Sequence, residues 1–223
     1  MADPLQIKRP DSLSKIAENH IRQGILRGAF GLGEPLPEVK LSTAMGISKT
    51  PIREALAALN LQGLVQIVPQ RGAFVFSLSE EDVVQLCRFR LILETAAMDQ
   101  AIDQNSAALL DELGDIVGRM SKAQKADAFD QYLDLDADFH DAFFKHCGNS
   151  YLREGYRKVS DIVRTMRTHL SKRPERTAKS FEEHAAIATH LSDGKMKSAK
   201  NVLKRQITRG ERSYSDLTGV GQD

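Results

Sequence analysis

From Ser12 onward apolar residues recur near helical spacing, at Leu13, Ile16, Ala17, Ile21, Ile25 and Leu26, and the pattern stops in the Gly- and Pro-dense run GAFGLGEPLP. That predicts one helix and its end. A short helix is expected over 37–45, closed by Gly46, and a third starts behind Ser48 as its N-cap and runs through SKTPIREALAALNLQGL to Gly63. Pro51 falls in the first turn of that helix, where a missing N–H costs nothing. In VQIVPQRGAFVF, β-branched and aromatic residues flank Pro69, Gln70, Arg71 and Gly72, which predicts two short strands joined by a tight turn. After Ser77 the pattern is helical throughout, with helices expected over 79–101, 105–124, 126–147, 150–171, 177–193 and 195–212. Breaks are expected at Gly148-Asn149, Arg173-Pro174 and Asp193-Gly194.

The fold class is therefore mostly α, in two domains. Residues 1–76 form a winged helix-turn-helix, and residues 77–223 form an all-α helical bundle. The length of 223 residues supports an adequate core in each. With 41% hydrophobic and 27% charged residues the composition is that of a folding globular chain, not a disordered one. The opening MADPLQIKRPDSLSK lacks a signal-peptide core, and no run approaches the roughly 18 apolar residues of a membrane span. A cytoplasmic location follows. Cys87 and Cys147 have no CxxC spacing, which argues against a disulfide framework or structural zinc. Charge is mildly polarised: residues 1–76 carry nine Lys/Arg against six Asp/Glu, and the remainder 22 against 24. Alone, that would not establish a nucleic-acid partner.

The first turn of the third helix makes the stronger case. A helix of this length, preceded by a shorter helix and a Gly-containing turn, fits the major groove of DNA. Ser48, Lys49, Thr50 and Arg53 cluster in its first turn, combining two hydroxyls, unpaired backbone N–H groups and two cations. Arg53 suits a guanine edge, and Lys49 a base or a phosphate. Ile52, Ala55, Leu56, Leu59 and Leu64 are assigned to the core side. At the hairpin tip, Arg71 and Gly72 supply a cation and a backbone free to adopt φ > 0.

The run LRGAFGLGEPLPEVKLSTAMGISKTPIREALAALNLQGLVQIVPQRGAFV resembles the winged helix-turn-helix of the GntR family of bacterial regulators, most specifically in ISKTPIREAL, QGLV and RGAFV. That resemblance implies a homodimer on a palindromic double-stranded DNA operator. It places Lys49, Thr50 and Arg53 in the major groove and Arg71 and Gly72 in the minor groove.

In the C-terminal domain the informative residues are polar ones on apolar stripes. Phe129, Tyr132, Leu133, Phe139, Phe143 and Cys147 mark a buried face, and Asp136 and His140 share it one turn apart. His184 lies on the stripe of Phe181, Ala188 and Leu191, and Gln206 on that of Met196, Ala199, Leu203 and Gly210. Asp with His at i+4, and His184 as a third ligand, suits a divalent metal with one position open for an anion. A hydrogen-bonded polar core without an ion is the other reading of the same residues. Arg90 shares a face with Glu94, either as an i,i+4 pair or as the cation for an effector carboxylate. Gln206 is a further effector candidate, and Arg164 is read either as one or, in preference, as a surface charge. Asn149 is read as a helix cap, and His20, His146, His169 and His190 as surface or packing residues.

RFRLILE, DADFH followed by CGNSYL, and EEHAAIATHLSDGKMKSAK together resemble the FCD ligand-binding domain, which points to the FadR subfamily of GntR regulators. The resemblance implies a small organic-acid effector beside a metal held by an Asp and three His, often zinc or nickel. Asp136, His140 and His184 match the first three ligands. Gln206 stands where the fourth His is expected, and an amide oxygen favours a harder cation such as manganese over zinc. The implied function is an effector-responsive transcriptional repressor and not an enzyme. Two rivals are a metal-dependent hydrolase and an effector-independent DNA binder. No HExxH, GxSxG or Gly-rich phosphate loop supports the first, and the polar groups in the helical core argue against the second.

Overall fold

The computed structural model describes residues 11–170 and 174–218. Most of the opening MADPLQIKRPDSLSK, and Arg173 of the expected Arg173-Pro174 break, lie outside them. The chain divides after Ser77 into two compact units.

The first unit holds α1 (Leu13–Leu26), α2 (Glu38–Met45), α3 (Lys49–Leu61) and the hairpin β1 (Val65–Val68) and β2 (Gly72–Val75). Ser12 caps α1, its side chain accepting from Lys15 N at 3.2 Å. Gly46 ends α2 with φ 65°, in the left-handed region where a side chain would be strained. Ser48 takes the N-cap position of α3 with extended φ/ψ, as expected, but its side chain makes no capping hydrogen bond. The α3 face of Ile52, Ala55, Leu56 and Leu59 is buried, with Leu64 just behind it, and closes over Ile21 and Ile25 of α1. β1 and β2 pair antiparallel from Val65↔Val75 to Val68↔Gly72. The preceding loop runs along β2, where Leu36 N donates to Ala73 O at 2.8 Å and Val75 N to Glu34 O at 2.9 Å.

The second unit is all helical: α4 (Glu80–Lys125), α5 (Phe129–His146), α6 (Ser150–Leu170), α7 (Pro174–Ser192) and α8 (Met196–Thr218). A reciprocal capping box between Ser79 and Asp82 starts α4. The sequence predicts two helices here; instead one helical run continues with a single non-helical residue, Asn105 (φ −153°, ψ 47°). No Gly or Pro lies between Ala101 and Asn105 to stop the helix, so a one-residue kink suffices. The Asn105 amide meets His146 Nδ1 at 3.1 Å, and His146 Nε2 meets Glu112 Oε2 at 2.6 Å. Two surface-type side chains thus tie the kink of α4 to the end of α5, and His146 is a node the sequence reading missed.

α5 lies against α4 along its length and also touches α6. It is buried nearly all round: Leu135, Ala142 and Phe144 are inside together with Tyr132, Phe139 and Phe143. Phe129, expected in the buried stripe, is 37% exposed because it is the first residue of the helix. Cys87 and Cys147 are free and buried. Asn149 caps α6, its Oδ1 accepting from Tyr151 N and Leu152 N.

Candidate functional site

The residues expected to meet DNA stand in the open. Ser48, Lys49, Thr50 and Arg53 are all exposed at the start of α3, while the opposite side of that helix is core. Because no side chain caps the helix, its first N–H groups and the Ser48 hydroxyl can meet an outside acceptor. Arg53 Nε donates to Glu38 Oε2 at 2.7 Å, an exposed pair that engages only one of its three nitrogens. Arg71 and Gly72 are exposed at the hairpin turn, where Gln70 (φ 63°) and Gly72 (φ 101°) carry the reversal. The Arg71 guanidinium lies 5.7 Å over the Phe74 ring, which restrains it at the tip.

The second unit brings together three of the predicted polar residues and surrounds them with others. Asp136 and His140 project from α5 and His184 from α7, all buried, and each has a ligand atom within 4.8 Å of the others'. His140 Nδ1 lies 2.6 Å from Glu94 Oε2, and His184 Nδ1 lies 2.8 Å from the Ser180 carbonyl. Both partners can only accept, so each Nδ1 carries the proton when the ring is neutral. Burial drives the His184 pKa down to about 3, and burial followed by Arg167 lowers that of His140. The rings are neutral, and both Nε2 atoms present lone pairs 3.3 Å apart. Asp136 Oδ1 is 3.5 Å from His184 Nε2. Three acceptors converge with no proton to share among them. Gln206 adds an amide whose Nε2 is 3.3 Å from His184 Nε2, while its buried Oε1 has no hydrogen-bond partner among the described residues. Turning that amide over would present the oxygen to the same point. This donor set fits a divalent cation with three firm ligands and a fourth, weaker one.

Charge around the donors is balanced. Burial opposes ionisation of Asp136, but Arg167 and the two histidines outweigh it and hold the carboxyl at about 2. Asp136 Oδ2 pairs with Arg167 Nη1 at 3.1 Å. Burial likewise opposes ionisation of Glu94, and Arg90, with Nε 3.0 Å from Glu94 Oε1, and His140 drive its pKa well below the usual range. Arg209 pairs with Glu183. Arg90, Arg167 and Arg209, with Asp136, His140, Gln206 and others, line a cavity of about 70 Å³. Arg167 Nη2 has no acceptor among the described residues.

Arg90 thus makes the i,i+4 pair with Glu94 and also faces the cavity. Arg164 does neither: it pairs with Asp134 and is not among the residues lining the cavity. Sequence reasoning missed Arg167 and Arg209. Both lie one or two turns from recognised residues, on helices whose register against α5 no spacing rule reveals.

Residues 85–209 match the FCD domain and residues 13–75 match the bacterial regulatory proteins of the gntR family. The chain belongs to the GntR family, with an FCD domain. This pairing is that of the FadR subfamily, and its members are transcriptional regulators, not enzymes. The regulator is 30% identical over 172 residues to the Nta operon transcriptional regulator of Aminobacter aminovorans, covering 74% of this chain and 77% of that one. It is 27% identical over 187 residues to the gluconate operon transcriptional repressor of Bacillus licheniformis, covering 80% and 76%. Among solved structures, a GntR regulator from Rhodococcus sp. RHA1 superposes with TM-score 0.77 at 21% identity, covering 95% of this chain and all of that one. No helix among the described residues is long and apolar enough to cross a membrane.

Proposed function

We propose that the regulator is a cytoplasmic, homodimeric repressor that releases a palindromic operator when a small organic acid enters the C-terminal cavity. The observation that carries the reading is the convergence of Asp136, His140 and His184, with Asp136 and His140 also in the wall of a cavity lined by three arginines. Ser48, Lys49, Thr50 and Arg53 would enter the major groove, with Arg71 and Gly72 at the minor groove. A divalent ion, zinc, nickel or manganese, would be held by Asp136, His140 and His184, with Gln206 as the weak fourth donor. When bound it supplies a Lewis-acidic position for an effector carboxylate. Arg90 and Arg167 would orient that carboxylate: the unsatisfied Nη2 of Arg167 and the cavity position of Arg90 support this. Relatives named as repressors of the gluconate operon support the sign of regulation. Population shift is the mechanism: the acid binds one arrangement of the dimer better, and operator affinity changes by that difference.

Metal analysis after dialysis against zinc, nickel or manganese tests the site. About one equivalent is expected in the wild-type protein, and Asp136→Ala is expected to lose it. No uptake of any of the three by the wild type would sink the metal reading.

A further inference from the structure

Glu94 is fully buried on α4, and both of its carboxylate oxygens are engaged. Oε1 accepts from Arg90 Nε and Oε2 lies 2.6 Å from His140 Nδ1. Such a carboxylate behind an imidazole does one chemical thing well: it dictates which ring nitrogen carries the proton. His184, by contrast, takes its direction from a backbone carbonyl of its own helix.

We propose that Glu94 is the positioning residue of the metal site, fixing the proton on His140 Nδ1 and so presenting the His140 Nε2 lone pair to the ion held with Asp136 and His184. This rests on the reading of those three residues as a metal site. Arg90 serves the same end by balancing the Glu94 charge in the interior. Because Arg90 also lines the cavity, an anion that engages it acts on His140 through two charge-assisted contacts. The sequence signal was the Arg90–Glu94 pair; its partner His140 on another helix was not legible.

Zinc affinity of the full-length protein, measured by competition with a chromophoric chelator, tests the assignment. Glu94→Gln keeps the shape and removes the charge, and is expected to weaken zinc binding by about ten- to a hundredfold. It strands Arg90, so the double variant Arg90→Met, Glu94→Gln, which removes both charges, is measured beside it with the melting temperature of each. Nitrogen NMR of the metal-free protein gives the second readout: His140 is expected protonated at Nδ1 in the wild type and in a mixture of tautomers in either variant. A purely structural Glu94 would shift the melting temperature and leave the tautomer alone. Folded variants that bind zinc as the wild type does, or keep its tautomer, would overturn the proposal while the metal site stands. A wild type that takes up none of zinc, nickel and manganese overturns both; where it takes only nickel or manganese, the same competition is run with that ion.

Discussion

Arg167→Met is expected to cost the metal-free protein about 3–5 kcal/mol of stability, the usual result of stranding one buried partner of an ion pair. The guanidinium sits 3.1 Å from Asp136 Oδ2, and both side chains are largely withdrawn from water. Burial and its carboxylate neighbours act in opposite directions on Arg167, the carboxylates win, and the group is fully charged. Asp136 is the depressed member, at about 2. Its contribution is therefore complete above the ordinary carboxylate range and disappears only as pH falls through about 2. At neutral pH the variant bears the full penalty unless Asp136 takes up a proton. Urea unfolding of wild type and variant at pH 7 checks this. Adding zinc should restore part of the loss, since a cation between Asp136 and the histidines replaces the missing charge. A loss below about 1 kcal/mol would mean that Asp136 is satisfied by other groups.

The second large effect is expected on DNA. Arg53→Ala should lose about 1–3 kcal/mol of discrimination between operator and scrambled duplex, roughly a ten- to hundredfold change. The fold should survive, because Arg53 is exposed and its pair with Glu38 is of the surface kind worth about 1 kcal/mol or less. Lys49→Ala should weaken both duplexes more evenly if its partner is a phosphate. Anisotropy titrations at one fixed salt concentration separate the two cases. Equal discrimination by wild type and Arg53→Ala would remove Arg53 from the reading surface.

The N-terminal unit was legible because its signals are local. Gly46, the N-cap Ser48, Pro51 and the Pro69-to-Gly72 turn each act within a few residues, and the elements they bound lie where the pattern puts them. What the sequence could not show there was the use of a side chain: Ser48 occupies the cap without capping, and Arg53 reaches back to Glu38. The bundle was legible at the level of one helix at a time. Asp136 and His140 were assigned to one face by their i,i+4 spacing, and His184 by its apolar neighbours. The groups that complete the site come from the register between helices. Glu94 on α4 meets His140 on α5, and Arg167 on α6 meets Asp136 on α5. Nothing in the periodicity of one helix encodes such pairs. The same limit left Arg164 open between an effector cation and a surface charge; it pairs with Asp134 and does not line the cavity. That limit also explains His146, read as a surface or packing residue, which meets Asn105 at the kink of α4.

The proposed coupling between the cavity and the first turn of α3 is measured most directly by titrating metal-loaded regulator into a palindromic duplex selected from random sequence, with and without a saturating organic acid. Tight binding to that duplex, far weaker binding to its scrambled counterpart, and a loss of about fivefold or more when the acid is present are expected. Identical operator affinity in the filled and empty states would contradict the account.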